Sequence, residues 1–373
     1  SIMLVTIIAF IVILSVLVIV HELGHFLVAK KLGIKVEEFG FGFPPRLFGK
    51  KIGETIYSIN LLPVGGFVKL FGEDAAGGGS VKAKSNLESR ISNNQIKRAF
   101  FARPVWQRFT VVIAGVVMNF LLAVVLISYL FGTQGVAIPG QKIHITEILK
   151  DSPAAAAGLK VGDTILSLNG KNITSTTLFI QAVKQDEGKE VTLGILRSGK
   201  NSDIKLIPRT VYPKDQGPVG VGISDVVIKK YTWYEAPFFG TIEALKFSWM
   251  IVAGLVGMAF NLIVHGQKPT GVAGPVGVAQ LTGQAVSYGV NATLWFVALL
   301  SINLAVLNVL PIPALDGGRL FFIVVEAVTR KKVNVKYENY THAVGLVVLL
   351  ALMLLITVFD VMRLVSGQSL LPK

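Results

Sequence analysis

Uncharged apolar runs recur along this chain at lengths that suit lipid. Ile2–Val20 carries no charged residue, and Phe109–Phe131, Ala292–Leu310 and Ala343–Phe359 are similarly apolar. Each approaches the ~20 residues needed to cross ~30 Å of hydrocarbon, so four transmembrane helices are predicted. A fifth stretch, 240–264, is apolar enough to span but opens with Glu243 and Lys246. Parity speaks against a crossing there: span three must return its C-terminal end to the side where span one ends, and 271–290, rich in Gly and Gln, makes a poor partner span. We therefore read 240–264 as an amphipathic or re-entrant helix at the outer interface.

Between spans two and three the pattern changes to period two. "TILSLNG" at 164–170 reads as a strand closing on a turn, preceded by a helix start at "SPAAAAGL" and a "GD" turn. "EVTLGILR" and "SDIKLIP" add strands and complete a compact α+β domain near Tyr212, after which Pro213–Lys230 reads as a second β-rich piece or a linker. In "ETIYSINLLPVGGFVKLF", 54–71, two β-prone runs flank Pro63 and Gly65–Gly66 and predict a hairpin. The glycine tract at 75–80 and the polar run to about Lys97 predict a mobile loop.

Composition agrees with a membrane protein: 52% of residues are hydrophobic, 16% are charged, and the mean hydropathy is +0.63. The net charge of +14 is concentrated between spans one and two and in "RKKVNVK" at 330–336. That places both segments in the cytoplasm and block 135–230 on the opposite face. No nucleic-acid motif accompanies the charge, so nucleic acid is not an expected partner. The first run has no small-residue cleavage site after it and is expected to be retained. There are no cysteines, so disulfides and thiolate ligands are excluded and any metal falls to His, Asp or Glu.

Such ligands stand at the end of span one. In "HELGH", His21 and His25 are at i and i+4, on one helical face, with Glu22 beside them as a general base. Chance predicts roughly 0.002 such patterns in this chain. A third ligand is offered by "NVLPIPALDGGRL", 308–320, where Pro311 and Pro313 break span three and present Asp316. Two histidines and one carboxylate suit zinc, and also non-haem iron; Glu22, placed to activate metal-bound water, favours zinc hydrolysis. The competing reading of Asp316 is an N-cap for the helix starting near Arg319. His144 and His265 are expected on the outer side, and His342 precedes the last span on no recognisable motif.

These two motifs, in this order on separate spans, resemble the site-2 protease family of zinc intramembrane metalloproteases. "GVVMN", Gly115–Asn119, is similar to the family's G-x-x-x-N element, and "FGFGFPPRLF" with "GGFVKL" (39–48 and 65–70) resembles its membrane re-entrant β-loop. The SPAAAAGL block resembles a single PDZ domain, where well-studied bacterial relatives carry two. The resemblance implies a polytopic α-helical membrane protein of about four transmembrane helices, with a membrane-associated β-hairpin region and an inserted extracytoplasmic PDZ (α+β) domain. The expected organisation is 1–134, a first membrane segment; 135–212, the PDZ domain; 213–290, a linker and interfacial helix; and 291–373, a second membrane segment. His21, His25 and Asp316 would bind Zn2+ and Glu22 would be catalytic.

Substrate binding is assigned to Gly65, Gly66, Phe67 and Asn308. The glycine-flanked strand could add substrate along its edge or be a plain cytoplasmic hairpin. Asn308 could hold substrate backbone or join helices. Gly115 and Asn119 would support helix packing and the site. The expected activity is regulated intramembrane proteolysis of single-span membrane proteins, such as membrane-anchored signalling proteins or signal-peptide remnants, in a bacterial inner membrane. The alternative is a non-catalytic membrane-anchored PDZ scaffold. The PDZ block could act as a size filter, a peptide binder or a spacer.

Overall fold

The computed structural model describes residues 2–73, 93–213, 216–266, 272–333 and 335–366. The glycine tract expected to be mobile lies outside them. The chain divides into two compact units, 1–130 with 232–373, and 131–231.

The first unit is built on α1 (Ile2–Lys31) and α2 (Val105–Thr133). Nothing in HELGH stops a helix, so α1 runs through it to Lys31 instead of ending at Val20. The two helices are antiparallel, and Gly24 lets α1 close on α2: a Cβ there would overlap the carbonyl of Ala114. Between them in sequence, β1 (Val36–Ile52) pairs with β2 (Thr55–Leu70). The expected hairpin over 54–71 is corrected by the register. Phe39 pairs with Val68 on one side and Tyr57 on the other, and Gly40 pairs with both Phe67 and Ser58. The runs flanking Pro63 therefore sandwich the start of β1 and do not pair with each other. The segment around Pro63 passes beside Gly42 and Phe43 in the middle of β1 and is tied to α1, where Ser15 Oγ donates to the Pro63 carbonyl at 3.2 Å. Residues 66–70 are left as an edge facing α1.

The longer helices described in the rest of this unit are α4 (Ala236–His265), α5 (Pro275–Ser287), α6 (Val290–Val309), α7 (Asp316–Thr329) and α8 (Val335–Val365). Among the described residues five helices are long and apolar enough to cross a membrane, at Met3–Lys31, Val105–Thr133, Ala236–His265, Val290–Val309 and Tyr337–Val365. Four match the expected spans. The fifth, α4, is one unbroken helix whose exposed apolar residues run from Phe238 through Trp249 to Ile263, with Glu243 and Lys246 in its first half. The short α5 touches α1 and α8 together: Gly283 lies against Thr6, and the buried Asp360 accepts from the backbone N–H groups of Gly274 and Gly277, both at 2.8 Å.

The second unit holds α3 (Thr176–Gln185) and a sheet of β3 (Val136–Ile148), β4 (Thr164–Leu168), β5 (Lys171–Asn172), β6 (Val191–Arg197), β7 (Lys200–Leu206) and β8 (Val221–Lys229). The spatial order is β7-β6-β4-β3-β8, with β5 on β4. Ile143, Ile145, Ile165, Leu193, Ile195 and Phe179 are buried at its centre. The unit is larger than 135–212, because β8, beyond that boundary, pairs along β3 from Val136↔Lys229 to Ile148↔Val221. Closing that edge requires residues distant in sequence, which local alternation cannot reveal.

Candidate active site

The helical spacing of His21 and His25 brings their Nε2 atoms to 3.2 Å. The proline break turns the chain after α6 so that Asp316 opens α7 and puts Oδ2 at 2.9 Å from His21 Nε2 and 3.2 Å from His25 Nε2. Asp316 is thus the first residue of α7 and not its cap; the N-cap is Leu315, with no side-chain bond. The N-cap reading is excluded.

The tautomers agree with a metal. His25 Nδ1–H donates to the Val111 carbonyl at 2.8 Å, which leaves the Nε2 lone pair facing the site. Asn119 Nδ2 lies 3.5 Å from His21 Nδ1, while Asn119 Oδ1 is buried without a partner. With the amide turned over, that oxygen accepts from His21 Nδ1–H and leaves the His21 Nε2 lone pair facing the site. Two imidazole lone pairs and a carboxylate oxygen then converge on one point. Two donors on a tetrahedral zinc, each ~2.0 Å from it, stand about 3.3 Å apart, close to the separations found. The residues fit zinc.

Glu22 joins the same group of potential ligand atoms, all within 4.8 Å of one another for His21, Glu22 and His25. Its Oε2 accepts from the Val68 backbone N–H at 3.0 Å. That N–H points out of the sheet edge toward the site. Gly115 makes room for the pair of rings, since a Cβ there would overlap His25 Nε2 and His21 Cε1. Ser301 Oγ donates to the Asn119 carbonyl at 2.7 Å and ties α6 to α2 beside the histidines.

Two cavities meet at Glu22 and Asp316. One, of about 380 Å³, is lined by Val18, His21, Phe43, Gly66, Asn119 and Asn308 among others. The other, of about 460 Å³, is lined on its polar side by Glu73, Arg319, Asn339 and His342 and includes Phe67 and Val68. The structure therefore brings Asn308, Gly66 and Phe67 to the site; Gly65 packs near Phe43 and Val18, with φ of 77°. His342 was placed on no motif, yet its Nδ1 accepts from the Ala314 N–H at 3.1 Å. Its neighbours in sequence carry no signal that could have revealed this.

The sequence profile of peptidase family M50 matches residues 9–352. The chain belongs to that family. A Clostridium perfringens protein named as a zinc metalloprotease is 36% identical, with 93% of this chain and 96% of the relative covered. The regulator of sigma-W protease RasP of Bacillus subtilis is 33% identical, with 96% and 99% covered. The PDZ domain of an SdrC-like protein from Listeria monocytogenes is 22% identical over 24% of this chain and 95% of that chain, with a TM-score of 0.21. As an M50 peptidase the chain is a zinc-dependent metalloprotease of the site-2, intramembrane type, and the choice between zinc and iron falls to zinc. The scaffold alternative is not favoured.

Proposed function

We propose that His21, His25 and Asp316 hold the zinc and that Glu22 is the base in peptide-bond hydrolysis within single-span membrane proteins. The observation that carries this is the convergence of three donor atoms at 2.9–3.2 Å with Glu22 beside them. When bound, zinc supplies Lewis acidity at that point. Glu22 takes a proton from the attacking water and delivers it to the departing amine nitrogen. Unwinding a substrate helix frees backbone groups that need partners in hydrocarbon. The edge at Gly66–Leu70 offers N–H donors, with Val68 already aimed at Glu22, and Asn308 offers an amide across the cavity. Phe67 and Gly65 shape the same edge. Glu22→Gln co-expressed with candidate single-span proteins should trap uncut partners and keep its zinc. Zinc retained at about one per chain in both His21→Ala and Asp316→Ala would overturn the ligand set.

We place the enzyme in a bacterial inner membrane, with the 131–231 unit extracytoplasmic and PDZ-like, on the positive-inside pattern and the strand–turn motif around Gly158–Asn169. The α4 helix, unbroken over 30 residues, is assigned to the outer interface with both ends on that side. Gly240 lies against Ser128 near the end of α2, and Arg363 Nη1 donates to the Val272 carbonyl at 3.5 Å near the end of α8. Contacts of α5 with Thr6 and Asp360 put these at one end of the unit. From Gly266 to Val272 the chain reaches at most ~21 Å, short of the ~34 Å from Ser128 to Val105 along α2. Cysteines introduced singly at Glu243 and His265, in a chain with none of its own, should both be labelled from outside; labelling from opposite faces would overturn this topology.

A further inference from the structure

Asp316 reaches the histidines through an irregular turn, and α8 holds that turn in two places. At Ala314, φ is 74°, a left-handed conformation uncommon for a residue with a Cβ. The Ala314 N–H donates to His342 Nδ1. One turn along the same face of α8, Gly345 admits Pro313, which would overlap a Cβ at that position. His342 Cε1 also lies against Gly318, where a Cβ would stand 3.1 Å from it. With Nδ1 accepting, the ring hydrogen sits on Nε2, which is buried without a partner on the wall of the 460 Å³ cavity shared with Glu22 and Asp316. A half-buried imidazole with one nitrogen committed to the N–H of a left-handed residue and the other buried unpaired, two residues before a metal-binding carboxylate, is poorly explained as packing. An apolar side chain would fill the space without leaving a buried polar atom unpaired.

We propose that His342 is a positioning residue: its Nδ1 fixes the left-handed turn at Ala314 and so sets the Asp316 carboxylate against His21 and His25. The proposal rests on the assignment of Asp316 as a zinc ligand. It makes α8, which contributes no ligand, part of the metal centre. The residue does not touch substrate; it acts through the backbone of 314–316.

The test separates the two ring nitrogens. In Asn, Oδ1 falls near the place of Nδ1, whereas Gln carries its polar group to the place of Nε2. Zinc affinity is measured on the full chain in detergent by competition with a chelating dye, beside the thermal midpoint of the zinc-free protein. His342→Asn should bind zinc nearly as wild type, while His342→Gln and His342→Ala should lose about 10–100-fold, the usual cost of removing a group that orients a metal ligand. Turnover should fall with kcat and leave KM unchanged. Adding Ala314→Gly to His342→Ala should recover part of the affinity, because glycine adopts the positive φ without help. Equal loss in the Asn and Gln variants, or no recovery with glycine, would overturn the proposal. Asp316→Asn is the control: if it binds zinc normally, the ligand assignment fails, and if it alone loses zinc while every His342 variant is normal, only the positioning role fails.

Discussion

The two units solve opposite solvent problems with the same kinds of side chain. The 131–231 unit buries Ile143, Ile165, Leu193, Ile195 and Phe179 and turns most of its charged residues outward, Asp163 excepted. The helical unit exposes Leu4, Ile8, Val12 and a long face of α8 from Val344 to Val365, and buries His21, His25, Arg108, Asn119, Ser301 and Asp360. In water, apolar burial drives the fold. Between helices in lipid that force vanishes, and close backbone contact and paired polar groups take over. Arg108 with Glu326 at 2.7 Å, Ser301 with Asn119, and Asp360 with α5 are such joints. A metal centre made of polar groups is thus continuous with what holds the helices together, and small changes beside it should cost function more than stability.

The largest expected effect is at Glu22. Glu22→Gln should lower the cleavage rate by about 10²–10⁴-fold, the typical worth of a positioned base, with zinc content unchanged by metal analysis. Retention of a tenth of the rate would remove Glu22 from the role. Next comes Gly115→Ala, whose Cβ overlaps both imidazoles; zinc affinity should fall by about 10–100-fold, read by chelator competition, while the 131–231 unit keeps its hydrogen-exchange protection. In the other unit the same logic reverses. Ile195→Ala should cost about 2–5 kcal/mol of local stability, seen as faster exchange across 136–229, and leave zinc affinity alone. A shared loss in either variant would break the contrast between the units.

The smallest effect is electrostatic. Arg197, 2.7 Å and 2.6 Å from the two oxygens of the buried Asp163, holds that carboxyl below its ordinary range. A depressed folded value means the contribution is fully present above the ordinary Asp value of ~3.9 and is lost as pH falls through the lowered one. Exchange protection in 136–229 should drop in that acid window, and Asp163→Asn should be less stable at neutral pH and flatter across the window. An unchanged profile in the variant would show the pair to be incidental.

Period and motif made four of the long helices, both histidines, Glu22, Asp316 and strands β4, β6 and β7 legible, because each is written in adjacent or helically spaced residues. Asp316 could be paired with HELGH before any geometry was known, since a carboxylate at a broken span has few other uses. Register was another matter. Residues 56–62 and 66–70 flank β1 in place of each other, and β8 completes a sheet that begins at Val136, because strand partners are chosen by tertiary closure. The Val68 N–H on Glu22, the room left by Gly115 and the bond from Ala314 to His342 likewise join positions far apart in the chain. By itself the sequence determined the chemistry available and the segments that carry it. Tertiary structure alone sets which strand edge faces Glu22 and which helix bonds the turn before Asp316, because those depend on where separate helices meet in space.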